Sequence, residues 1–232
     1  MAETSGPPVA NRIIEALPVF ERHALLDHCT EVTLAFGDVL YEQHEPCTSA
    51  YFPLTAFISQ MARVNGHPPM EMGMVGHEGM LGASLLLNVE LAPQLAVVQG
   101  PGVALRISTA ALRDVMDESP ALRSSMQRYL FGWLVAMGQT TVCTRFHVVD
   151  ARLARWLLMS QDRTHADHFR FTHQFLADML GVQRSAVSIA SGVLKNDGLI
   201  AYSRGRIRVL DRRRLEAAAC ECYATERSTV YG

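Results

Sequence analysis

The stretch Phe171-Thr172-His173-Gln174-Phe175-Leu176-Ala177-Asp178-Met179-Leu180-Gly181-Val182-Gln183-Arg184-Ser185-Ala186-Val187 decides the fold. Thr172 is a good helix N-cap, because its hydroxyl can accept from an otherwise unpaired first-turn amide. Phe175, Leu176, Met179 and Leu180 then form one apolar stripe. Gly181 supplies the permissive backbone of a tight turn, and a second helix is expected from Arg184 to Lys195. On that second helix Val187, Ala190 and Leu194 recur at core spacing, while Arg184, Ser188, Ser191 and Lys195 line another face. This spacing predicts a helix-turn-helix.

The polar face carries no carboxylate. A major groove offers base-edge acceptors with phosphates at both rims, which suits Arg, Lys and Ser. A merely solvated helix face would look the same, and the segment beyond the second helix decides between the two. Leu199 to Tyr202 and Ile207 to Leu210 are β-rich runs joined by Ser203-Arg204-Gly205-Arg206, a hairpin with an arginine-bearing tip. Together these parts form a winged helix-turn-helix for double-stranded DNA. Its expected contacts are Thr172, Gln174, Gln183, Arg184, Ser185, Ser188, Ser191, Lys195, Arg204 and Arg206.

Charge is distributed accordingly. The 232 residues carry a net charge of −2. Residues 147–232 nevertheless hold 13 Arg and Lys against 9 Asp and Glu, while residues 1–146 hold 8 against 14. The basic half is the half with the helix-turn-helix.

Upstream, the texture from Glu31 to Ile107 is one of short β-branched or aromatic runs: Val32–Leu34, Val39–Tyr41, Ala50–Phe52, Phe57–Val64, Met70–Val75, Leu95–Val98 and Val103–Ile107. Turn residues separate them, Asn65-Gly66 being the strongest hairpin signal, and an antiparallel sandwich or jelly-roll barrel is expected. Asn11 to His28 reads as one or two short helices broken at Pro18. Within the barrel, the loop holding Gly76, Glu78, Gly79 and Gly82 is the candidate ligand pocket. Freed backbone amides can receive an anion there and Glu78 can accept from a hydroxyl. A turn that needs glycine for geometry alone is the equal alternative.

After Pro120 a long helix runs to about Arg145 with two apolar stripes. One contains Met126, Tyr129 and Trp133, and the other Leu130, Leu134, Met137 and Thr141. Two stripes need two partners, the barrel and a second copy of the helix, so a homodimer is expected with Met126, Tyr129 and Trp133 at its interface. Asp150 caps a further helix, Ala151 to Ser160, with a basic side of Arg152 and Arg155. His165 to Phe169 reads as a polar loop or hairpin edge.

Cys29, Cys47, Cys143, Cys220 and Cys222 are odd in number and scattered, which fits reduced thiols rather than a disulfide framework. Cys220-Glu221-Cys222 is a C-x-C pair able to bind metal or respond to oxidant. With no third and fourth ligand at zinc spacing nearby, it reads as structural, and no metal or cofactor is expected. No run is long and apolar enough for a membrane span, and Met1 to Ala10 lacks the features of a secretory signal, so the cytoplasm is the expected compartment.

The order of these parts resembles the CRP/FNR family of transcriptional regulators, most specifically in residues 171–187. The resemblance implies an α+β chain: a β-barrel sensor domain over residues 1–118, a dimerisation helix over 119–146 and a winged helix-turn-helix domain over 147–232. It also implies an effector, here unknown, and allows RNA polymerase as a partner. By the same resemblance Arg184 falls where the family reads guanine, while Ser185 and Ile189 replace polar residues of the cAMP receptor protein. That receptor carries Gly-Glu in its phosphate loop and Arg-Ser on the next strand. Here Gly79-Met80-Leu81-Gly82 and the neighbourhood of Ala92-Pro93 stand instead, so usual cAMP binding is not expected. FNR-type iron–sulfur ligation is likewise disfavoured, only Cys29 and Cys47 being available near the N-terminus. Two alternatives remain: a cupin-like metalloenzyme, whose ligand pattern His44, His67 and His77 do not make, and a protein-interaction module whose helix-turn-helix does not bind DNA.

Overall fold

A computed structural model describes residues 11–164 and 166–231. The readings of Met1–Ala10 and of His165 therefore lie outside the described residues. The chain forms two compact units, one from residues 1–59 and 74–131 and the other from 60–73 and 132–232. Residues 60–73, placed with the barrel by sequence, cluster with the C-terminal unit.

In the first unit, α1 (Arg12–Glu15) and α2 (Val19–Asp27) are separated at Pro18, as expected for a residue that cannot continue a helix. The strands follow as β1 (Thr30–Leu34), β2 (Val39–Tyr41), β3 (Ser49–Pro53), β4 (Phe57–Ala62), β5 (Met70–Val75), β6 (Leu95–Gly100) and β7 (Gly102–Ser108). They form two sheets, ordered β1-β7-β3 and β2-β6-β4-β5, the antiparallel sandwich that the strand spacing predicts. Phe52, Ile58, Leu81 and Ile107 fill the space between the sheets, where Leu112, Leu122 and Met126 join them. Ser108 caps α3 (Thr109–Glu118) by accepting from the Ala111 amide at 3.2 Å.

The Gly76–Gly82 loop is shaped by packing. Glu78 is buried, and its Oε1 accepts from the Gly76 amide at 3.0 Å, so this carboxylate braces its own loop. A Cβ on Gly79 would lie 2.2 Å from the Tyr129 ring, whose hydroxyl donates to the Met80 carbonyl at 2.9 Å. Glycine is needed there for close approach.

The helix α4 (Pro120–Phe146) corrects the assignment of its two stripes. Met126 is 0% exposed in the barrel core, Tyr129 lies on Gly79, and the half-buried Trp133 donates to Gln60 at 2.7 Å. All three have partners within the chain, and Met126, fully buried, has no surface left to offer a second copy. The exposed side chains are instead Phe131 at 68%, Leu134 at 57% and Val142 at 46%, with Gly138 between the last two. Both stripes exist: Met126 and Tyr129 pack in the first unit, and Trp133 bonds Gln60 within the second.

In the second unit, α5 (Val149–Thr164) is the central shaft, longer than predicted at both ends. Trp156 is buried edge-on against Phe171 and Phe175, with ring centroids at 5.0 and 6.0 Å, and donates to buried Glu71 at 2.8 Å. Arg152 and Arg155 do not form a solvent-facing basic side; both are buried. Arg152 donates to the carbonyl of Leu180. Arg155 pairs with Glu226 at 2.6 Å, and buried Arg163 approaches the same carboxylate at 3.5 Å. Glu226 belongs to α9 (Cys222–Tyr231), which follows α8 (Arg212–Ala218). A buried carboxylate serving two buried guanidiniums is costly to remove, because each would be left uncompensated. Glu226→Ala is therefore expected to destabilise this unit by about 3–5 kcal/mol in denaturant titrations, whereas Arg213→Ala, at an exposed site of the same unit, is expected to shift the transition by less than about 0.5 kcal/mol.

Candidate nucleic-acid interface

The remaining elements of the second unit are β8 (His168–Arg170), α6 (His173–Leu180), α7 (Arg184–Asn196), β9 (Ile200–Ser203) and β10 (Arg206–Val209). Thr172 caps α6, its hydroxyl accepting from the Phe175 amide at 3.1 Å. Gly181 ends α6 in the left-handed region, at φ 61°, and a Cβ there would also meet Met70. Leu176 and Ala177 of α6 and Val187, Ala190 and Leu194 of α7 are buried, so the two helices of the motif share one core.

The wing is set by its turn. Strands β8, β10 and β9 form an antiparallel sheet in that order, with Ser203 opposite Arg206. The two-residue loop Arg204-Gly205 has φ of 48° and 75°, the combination a type I′ hairpin requires. Arginine is a strained choice at the first of these positions, since Asn or Gly adopts it more easily. Arg204, Arg206 and Arg184 are exposed and have no ion pair among the described residues, whereas Arg208 is held by Asp167 at 3.2 Å.

The outward face of α7 is rotated by about 100°, one residue's worth of helix, from the face read in the sequence. Ser191 is 3% exposed and turned to the core, so it is removed from the set of candidate contacts. Ser185, Ser188, Ile189 and Gly192 make the outward surface at i, i+3, i+4 and i+7, Ile189 being 70% exposed and Gly192 opening onto free space. Sequence polarity favoured Ser191 over Ile189. Packing of α7 against α5 decides otherwise, since a small serine fits a helix–helix contact.

Several predicted contacts already have local work. The Thr172 hydroxyl is spent on its cap, and Gln174 donates to Asp178 at 2.9 Å. Gln183 and Ser185 are exposed at the start of α7, and Lys195 is exposed at its end. Ser188 is positioned by His173, Nδ1 to Oγ 2.8 Å, and the His173 ring stacks on Tyr202 at 4.3 Å. Sequence reading missed both His173 and Tyr202, because their pairing joins the first helix to the wing.

The surface can thus insert a helix face of serines and one branched apolar side chain, flanked by free guanidiniums. That chemistry matches base edges, a thymine methyl and phosphates. Among the described residues no helix is long and apolar enough to cross a membrane.

Comparison with known proteins agrees. Residues 151–218 match the family described as the Crp-like helix-turn-helix domain. Among solved structures, FixK2 of Bradyrhizobium japonicum is similar over 83% of this chain and 98% of its own, with TM-score 0.69 and 16% identity. The c-di-GMP-responsive global regulator CLP of Xanthomonas campestris covers 84% and 100%, with TM-score 0.68 and 16% identity. A protein of Eubacterium rectale described as a CRP/FNR-family regulator covers 89% and 97%, with TM-score 0.70 and 15% identity. No curated protein matches the chain.

Burial lowers the His173 pKa from its ordinary 6.5, and the charge of Arg184 lowers it further. The neutral ring is the folded form, so its contribution to stability is full above about pH 6.5 and is lost as pH falls below that value. In an NMR titration the His173 midpoint is expected below 6.5. In Arg184→Ala it should rise yet stay below 6.5, because burial is the larger cause. A wild-type midpoint at or above 6.5 would contradict this geometry.

Proposed function

We propose that this chain, with a Crp-like helix-turn-helix domain on a CRP/FNR-type fold, is a homodimeric, sequence-specific regulator of transcription acting on double-stranded DNA. The observation that carries the reading is the pairing of a carboxylate-free helix face, Ser185, Ser188, Ile189 and Gly192, with the strained arginine tip of the wing. Arg184, in the first turn of α7, is assigned to a base edge. Ile189 meets a thymine methyl, and Arg204 and Arg206 meet phosphate. RNA polymerase is the natural protein partner of such a regulator.

The barrel is assigned a sensory role that does not use cAMP in the usual way. Glu78 is already occupied by Gly76, Gly79 is closed by Tyr129, and the segment 64–105, which holds Ala92-Pro93, contains no arginine to neutralise a cyclic phosphate.

Dimerisation is assigned to α4 through Phe131, Leu134, Gly138 and Val142, which recur every three or four residues as in a coiled-coil seam. Light scattering is expected to show a wild-type dimer and a folded Leu134→Glu monomer with weakened DNA binding. Met126→Glu should instead lose its fold, since that side chain is in the barrel core. A dimeric Leu134→Glu would exclude this face.

On a random-sequence duplex, Arg206→Ala is expected to reduce the slope of log K against log salt by about one for each chain that loses a phosphate contact. An unchanged slope would remove Arg206 from the backbone contacts.

A further inference from the structure

We propose that Cys143, His147, Cys220 and Cys222 form a four-ligand site for a single tetrahedral divalent ion, with Zn²⁺ as its occupant. The sequence conceals the set, because Cys143-x₃-His147 closes α4 and Cys220-x-Cys222 opens α9, and only the fold brings the two pairs together. One ligand atom from each residue lies within 4.8 Å of all the others. The Cys143 and Cys220 sulfurs are 3.5 Å apart, and Cys222 Sγ is 3.4 Å from His147 Nδ1. A tetrahedron with bonds of about 2.3 Å to sulfur and 2.0–2.1 Å to nitrogen has edges of roughly 3.5–3.8 Å. The spacing fits one ion and is too tight for an iron–sulfur core.

The surroundings match a metal-binding set in three respects. First, the cysteines are free thiols and buried, so they are sheltered from solvent and oxidant. Secondly, the other histidine nitrogen, Nε2, is 3.2 Å from Glu221 Oε1. This is the carboxylate–histidine arrangement that orients a ligating imidazole, with Nε2–H donating and Nδ1 left for the ion. Thirdly, Gln139 donates to Cys222 Sγ at 2.9 Å, a contact that stabilises a thiolate. Three thiolates with a divalent ion carry one net negative charge, and the guanidiniums of Arg152 and Arg155 lie near enough to Cys143 to offset it.

A complete protein ligand set leaves no position for substrate, which assigns the ion a structural or sensing role rather than a catalytic one. It would tie the junction of α4 and α5 to the chain entering α9. Binding releases the thiol protons to solvent and changes no oxidation state. The ion site is independent of DNA binding, and either can fail without the other.

The test uses the full chain purified under reducing conditions. Elemental analysis is expected to return about one zinc per chain, and Co²⁺ exchanged into the wild type should give the intense visible bands of tetrahedral cobalt with sulfur-to-cobalt charge transfer. Cys222→Ser and Cys220→Ser should lose the ion, while Cys29→Ser and Cys47→Ser keep it. Glu221→Gln should weaken Co²⁺ affinity about 10–100-fold while preserving the spectrum. The cobalt spectrum of the wild type tests the site even where a variant fails to fold. A wild type that stays metal-free under excess Zn²⁺, a six-coordinate cobalt spectrum, iron with sulfide, or a Cys143–Cys220 disulfide would each overturn the proposal.

Discussion

Three guanidiniums buried along α5 set the terms for the C-terminal unit. Arg152, Arg155 and Arg163 project from a helix whose every other turn is packed with Leu153, Trp156, Leu157 and their neighbours. A charge withdrawn from water must be paired or hydrogen-bonded; α5 gives Arg163 its own Met159 carbonyl at 3.1 Å, and the carboxylate comes from elsewhere in the chain. Arg152 finds the last carbonyl of α6, which ties the end of the first recognition-motif helix to the shaft. Arg155 and Arg163 find Glu226, which obliges the chain beyond the wing to turn back along α5. That return carries Cys220 and Cys222 to the end of α4. The helix-turn-helix, the C-terminal helix and the cysteine cluster are placed by one requirement.

Much of this was legible because the signals were local. The Thr172 cap, the left-handed Gly181 and the Arg204-Gly205 turn each follow from the chemistry of one or two residues, and the strand runs follow from period and punctuation. What was not legible depended on which neighbour arrived first. Ser191 and Ile189 are ranked by polarity in the sequence and by packing in the fold, and α5 reverses them. Met126, Tyr129 and Trp133 look like an unpartnered stripe until their partners within the chain are seen, the barrel core for Met126 and Tyr129 and Gln60 for Trp133, leaving Phe131, Leu134 and Val142 exposed. Glu78 resembles a ligand acceptor until its own loop amide is seen to occupy it. Arg152 and Arg155 read as solvent-facing because basic residues usually are, and their carboxylate partner lies far along the chain. The fourfold donor set was hidden for the same reason.

These corrections sharpen the functional reading. On the proposed function, a surface of serines, a glycine and one isoleucine would present few charges to base pairs, so discrimination would fall to shape, methyl contacts and Arg184, and affinity to the wing. His173 links the two, holding Ser188 of the helix face while stacking on Tyr202 of the hairpin.

The central claim, that α7 reads sequence as part of a twofold dimer, is tested most directly by selecting duplexes from a random pool with the purified full-length protein. The account predicts enrichment of an inverted repeat whose half-sites are centred about 34 Å apart. Selection with Ile189→Ala should relax the preference at one position in each half-site, while Arg206→Ala leaves the selected sequence unchanged. Recovery of an unenriched pool, or of a single site without the repeat, would contradict it.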